Sequence, residues 1–175
     1  PEGRTDFKCA PPIREEANRE ALWQGLKDGA IDLVVSDHSP CLPGLKLMKE
    51  GDFMHAWGGI SSVQFTLPAM WTQARRRGFG LADLTRWMSE RPAALAGLSK
   101  SKGRIAAGLD ADIVVWDTEA EYELQPQMIR HRHKVSPYAG STLRGMVAAT
   151  FLRGKKIYEN GAFPSGAQGE LLRNG

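Results

Sequence analysis

Apolar residues along this chain change their period several times, and each change marks an element. Ala17, Ala21, Leu22 and Leu26 recur at helical spacing, which predicts an amphipathic helix. Two glutamates near its start suit the N-terminal dipole; Pro11 and Pro12 precede it and Gly29 follows it. The run IDLVV at 31–35 is almost continuously apolar, the pattern of a short strand buried on both faces. A helix followed by a buried strand is half of an α/β repeat. Residues 41–59, CLPGLKLMKEGDFMHAWGG, keep no clean period and read as an irregular loop, a feature that in compact domains often carries function.

Helical spacing returns at Ile60, Val63, Leu67, Met70, Trp71 and Ala74, with a kink expected at Pro68. LADLTRWMSE predicts a second helix in this stretch, and Pro92 opens a third at PAALAGL. Near residue 100 the pattern changes. GRIAAGLDADIVVWD sets glycines and aspartates around a β-branched run, and MVAATFLRGKKIYENGAF gives two apolar runs joined by RGKK and closed by an ENG turn. The chain therefore divides into a helical part with a buried strand, 1–100, and a small β unit with a C-terminal tail, 101–175.

Composition narrows the function classes. With 42% hydrophobic and 25% charged residues, the chain has the material for a packed core. No apolar run approaches the roughly 18 to 20 residues that span a bilayer, and PEGRTDFKCA lacks the layout of a secretory signal. The expectation is a soluble, cytoplasmic protein without a membrane partner. The net charge of +3 comes from scattered groups such as RRR at 75–77 and KSK at 100–102. They lack the interleaved aromatics of a single-strand binder, so no nucleic-acid partner is expected. Cys9 and Cys41 have no second cysteine at zinc-ligand spacing, which argues against a disulfide or zinc scaffold.

Candidate chemistry concentrates in VVSDHSP, residues 34–40. In parallel α/β folds reactive groups are mounted where strands end, and Asp37 and His38 follow IDLVV directly. The competing reading is a plain turn, since Ser36, Asp37 and Ser39 are good turn formers and Pro40 favours a bend. Cys9 lies a few residues before the first helix, either at a strand end or as a small buried hydrophobe. His55, near Trp57 and two glycines, either meets a ligand or is exposed. His131 and His133 in RHRHK could share one face of a strand and grip a metal. Arg130, Arg132 and Lys134 would repel that cation, and SPY marks a loop, so this segment reads as a basic loop at a subunit or domain contact. A glycine-rich phosphate loop, GxSxG and CxxC are all missing from the sequence.

KCAPPIRE, VVSDHSP, WGGISSVQ, KGRIAAGLDADIVVWD and VAATFLRGKKIYENG, in this order, resemble the carboxyl-terminal portion of the cyclic amidohydrolases. Within that dihydroorotase-like group the resemblance is strongest to the branch that hydrolyses allantoin. It implies an α/β fold: the C-terminal part of a (β/α)8 TIM-like metal-dependent hydrolase barrel, with IDLVV as its last strand, plus part of a small β-sandwich domain. It implies that Asp37 is both a metal ligand and the catalytic proton shuttle, taking a proton from the attacking hydroxide and delivering it to the departing ring nitrogen. Two zinc ions per complete site are implied, their other ligands lying upstream of this chain, so the chain alone is expected to be inactive.

The resemblance also places Cys9, Ser39, His38, Gly58 and Gly59 at the substrate. Cys9 favours allantoin over dihydroorotate, whose enzymes tend to carry asparagine there. The alternatives are dihydropyrimidinase, hydantoinase or dihydroorotase activity, or a non-catalytic scaffold. A barrel reduced to its last strands exposes apolar faces and an unpaired edge, and self-association is expected; the family reading carries a homo-oligomer, a homotetramer.

Overall fold

The computed structural model describes residues 3–12, 15–164 and 166–172. Among the described residues four α-helices come first: α1 (Glu16–Asp28), α2 (Thr66–Arg76), α3 (Leu81–Thr85) and α4 (Arg91–Leu95), with a π-helical turn at Arg86–Glu90 between the last two. Three strands follow, β1 (Ile113–Glu123), β2 (Thr142–Leu152) and β3 (Lys155–Glu159), in one sheet of order β1-β2-β3. The chain forms two compact units. One comprises residues 1–31, 36–67 and 123–143, the other 32–35, 68–122 and 144–175.

In the first unit, α1 ends as its sequence predicts. Gly29 adopts φ +78°, the left-handed conformation that closes a helix at little cost to a residue without Cβ. The chain then turns back on the helix. Ile31 donates its N–H to the Gly25 carbonyl, and its side chain lies where a Cβ on Gly25 would come within 3.1 Å. The buried face of α1 is Trp23 and Leu26, whereas Ala17, Ala21 and Leu22 are exposed. The expected stripe was offset because Trp23, with the largest apolar surface on the helix, decides which side turns inward. Phe65, Leu124, Ile129 and Leu143 complete this unit's core.

In the second unit, α2 lies on the sheet. Trp71 Nε1 donates to the Thr118 carbonyl at 2.8 Å, and the Trp71 and Trp116 rings meet edge to face at 5.7 Å. Gly145, at φ +99°, makes this approach possible, since a Cβ there would stand 2.6 Å from the Trp116 ring. The expected hairpin is present: β2 and β3 run antiparallel with Leu152 opposite Lys155, closed by Arg153 and Gly154, both at positive φ. The aspartates of GLDAD have structural work. Lys102 bridges Asp110 and Asp112 at 2.8 and 2.5 Å, and Asp112 accepts the Arg153 N–H at 2.8 Å.

Two expected elements differ. The helix anticipated from Ile60 begins only at Thr66; Ser62 and Val63, ahead of it, give their N–H groups to a side chain. The IDLVV segment forms no helix and joins no strand ladder among the described residues. Val34 donates to the Trp87 carbonyl at 3.0 Å, and Val35 is 62% exposed. A parallel strand draws its hydrogen bonds from two neighbours, and the described residues supply only isolated ones.

Candidate active site

The turn that follows IDLVV is fixed by short-range bonds. Asp37 takes φ +42°, a left-handed conformation that aspartate tolerates better than most residues. Ser39 Oγ donates to the Asp37 carbonyl at 3.1 Å, and Ser39 N–H donates to the Ile60 carbonyl at 3.0 Å. His38 and Ile60 form a parallel bridge. The Asp37 carboxylate is exposed and makes no hydrogen bond or ion pair among the described residues. Backbone order and a side chain left uncommitted occur at the same residue.

His38 ties this turn to the next segment. Its Nδ1 accepts the N–H of Ser62 at 2.9 Å and of Val63 at 3.2 Å, which puts the ring proton on Nε2. Ser62 Oγ donates to the Ser36 carbonyl at 2.6 Å, so the same serine holds both sides of Asp37.

Cys9, Gly58, Gly59 and Ser39 come together. Gly59 N–H donates to the Lys8 carbonyl at 3.1 Å, and a Cβ on Gly58 would touch the Ala10 methyl at 3.3 Å. A Cβ on Gly59 would stand 2.6 Å from Ser39 Cβ and 2.7 Å from its carbonyl oxygen. That approach is open only to glycine. Cys9 is a half-buried free thiol within the segment these contacts define. Tyr138, which nothing in the sequence singled out, lies close enough to Cys9 to sense it: burial raises the phenol's pKa, and the thiol adds to the effect.

The histidines of the other candidates part ways. His55 lies in a turn that Asp52 caps by accepting the N–H of Met54 and of His55; its Nδ1 lies 2.7 Å from the same carboxylate, and its ring is largely exposed. RHRHK is an irregular loop rather than a strand. His131 packs edge to face on His38 at 5.0 Å and on Phe65 at 5.5 Å, its two ring nitrogens buried without a partner among the described residues. Burial lowers its pKa, and His38 and Lys134 push the same way. Among the described residues no group of three or more His, Cys, Asp or Glu is placed to hold a metal.

The chain belongs to the amidohydrolase family, whose model it matches over residues 10–157. More narrowly, it is 51% identical over 172 residues to the allantoinase of Streptomyces avermitilis, covering 98% of this chain and 38% of that protein. Identity to the allantoinase of Arabidopsis thaliana is 49% over 173 residues, covering 98% and 34%. The allantoinase of Saccharomyces cerevisiae is 46% identical over 160 residues, covering 91% and 34%.

Among solved structures, the L-hydantoinase (dihydropyrimidinase) from Arthrobacter aurescens matches with a TM-score of 0.86 at 31% identity, over 93% of this chain and 37% of that one. A D-hydantoinase matches with a TM-score of 0.83 at 31% identity, over 91% and 35%. The fold is thus that of the carboxyl-terminal part of these barrel hydrolases. The chain spans little more than a third of the length of the relatives it matches.

Proposed function

We propose that the protein carrying this chain hydrolyses a ring amide of allantoin to give allantoate, in purine breakdown, with Asp37 as its proton carrier. The observation that carries the reading is the Asp37 carboxylate, exposed and unbonded among the described residues on a turn that Ser39 and Ile60 hold in place. Identity of about half to allantoinases, against about a third to hydantoinases, supports allantoin as the ring.

The donor chemistry fits a divalent ion. A carboxylate without a partner offers hard oxygen ligands that suit zinc, manganese, iron or cobalt, and Asp37 supplies one of them. The remaining ligands of a two-zinc site belong to other parts of the longer protein, since the described residues gather no ligand set. When bound, the metal polarises the ring carbonyl and makes the attacking water more acidic. Asp37 takes the proton from that water and passes it to the departing ring nitrogen, a transfer one carboxylate performs in both directions. Cys9, Ser39, Gly58 and Gly59 line the ring, the glycines letting backbone approach it closely, and His38 fixes the turn that aims Asp37. Exposed apolar side chains such as Leu42, Met54 and Val63 support assembly into a homo-oligomer, a tetramer in this reading.

The second reading is activity on hydantoin or dihydropyrimidine rings, favoured by the structural likeness to enzymes of those names. The test is ring opening of allantoin, hydantoin, dihydropyrimidine and dihydroorotate by the longest reading frame that contains this chain, supplied with zinc or manganese. Preference for allantoin is expected. Preference for another ring moves the assignment to that ring, and inactivity on all four favours a scaffold.

A further inference from the structure

Lysine is almost never fully buried, yet Lys46 is 4% exposed. Its ammonium has three N–H groups and meets three backbone carbonyls: Lys8 at 3.0 Å, Trp57 at 3.1 Å and Thr5 at 3.4 Å. The segments it joins lie far apart in sequence, and they carry Cys9 on one side and Gly58 and Gly59 on the other. Lys8 adds a second clasp from the opposite direction, its Nζ donating to the carbonyls of Ala56 at 2.7 Å and Met54 at 3.1 Å. Trp57 N–H donates to the Leu45 carbonyl at 2.8 Å, closing the loop on the turn that bears Lys46.

The contacts continue to Asp37 without a gap. The Lys8 carbonyl accepts from both Lys46 and the Gly59 N–H. Gly59 lies against the Ser39 backbone, and Ser39 Oγ binds the Asp37 carbonyl. We infer that Lys46 is a positioning residue for the ring-amide hydrolysis, a three-carbonyl staple that sets the Cys9 and Gly58–Gly59 segments against the Asp37 turn. The inference rests on the assignment of Asp37 and Cys9 to the active site.

A neutral amine offers two N–H groups and leaves its lone pair facing the third carbonyl oxygen, so the full staple needs the charged form. Burial lowers the pKa of Lys46 from its ordinary value; Cys41, Asp6 and Cys9 oppose that shift, and Lys8 adds to it. The alkaline loss of kcat/KM is therefore expected to begin below the usual lysine range.

The test uses the longest reading frame that contains this chain. Lys46→Met keeps the aliphatic stem and removes the donors. It is expected to lower kcat/KM for allantoin about a hundredfold, the scale on which a misplacement of order 1 Å acts. It is also expected to speed alkylation of Cys9, followed by mass spectrometry. Lys46→Arg keeps a charge that does not titrate, and should remove the alkaline limb that Lys46 causes. If Lys46→Met does not fold, Lys46→Gln, which retains two donors, should still show kcat/KM below the parent's and faster Cys9 labelling than the parent's. Parent-like kinetics and parent-like Cys9 labelling in the folded variant overturn the inference. Faster Cys9 labelling in a protein that ignores allantoin upholds the staple and rejects the substrate assignment instead.

Discussion

His38 Nδ1 accepts the backbone N–H of Ser62 at 2.9 Å and of Val63 at 3.2 Å, so the residue after Asp37 satisfies two backbone donors just ahead of α2. Without that acceptor, the Asp37 turn would keep to the next segment only through the Ser39 N–H bond to the Ile60 carbonyl and the Ser62 Oγ bond to the Ser36 carbonyl.

His38→Ala leaves two backbone donors to find water or another acceptor. The expected cost is about 1 kcal/mol, the low end of the penalty for an unmatched donor, because the Val63 bond is exposed. Urea denaturation of the longer protein measures it. A variant as stable as the parent would show that the bond contributes nothing net.

His131 predicts how stability varies with acidity. Its folded pKa is held below the ordinary value by burial, then by His38 and Lys134, so between the two values the unfolded chain binds more protons than the folded one. The contribution of a neutral His131 is present above the ordinary histidine value, near 6.5, and is lost as the pH falls toward and through the folded value. Replacing it by Phe, which fills the space beside His38 and Phe65, should flatten the slope of stability against pH below about 6.5. Melting temperatures of both proteins between pH 5 and 8 decide the matter, and parallel slopes would exclude His131 as the source.

Local elements were legible in the sequence and non-local ones were not. Gly29 ends α1 and Arg153–Gly154 turns the hairpin through backbone conformations that a few adjacent residues determine. The ladder expected for IDLVV depends on neighbours that the described residues do not provide, so an apolar run alone could not secure it. The resemblance drew Asp37, Ser39, Cys9 and the paired glycines together as candidates, and the structure brings Ser39, Gly58, Gly59 and the segment around Cys9 into one locality. Lys46 gave no signal. A lysine in a loop normally reads as solvated, and only three carbonyls from distant segments make this one buried.

The role proposed for Asp37 is to carry the proton in opening the allantoin ring. Its most direct test is the steady-state turnover of allantoin by Asp37→Asn in the longest reading frame that contains this chain, beside the parent and with metal content measured in both. Asparagine keeps the shape and an oxygen donor but cannot accept the proton at neutral pH. A fall in kcat of several powers of ten is expected, in a protein that still folds. Turnover close to that of the parent, in a folded variant with the same metal content, would contradict it.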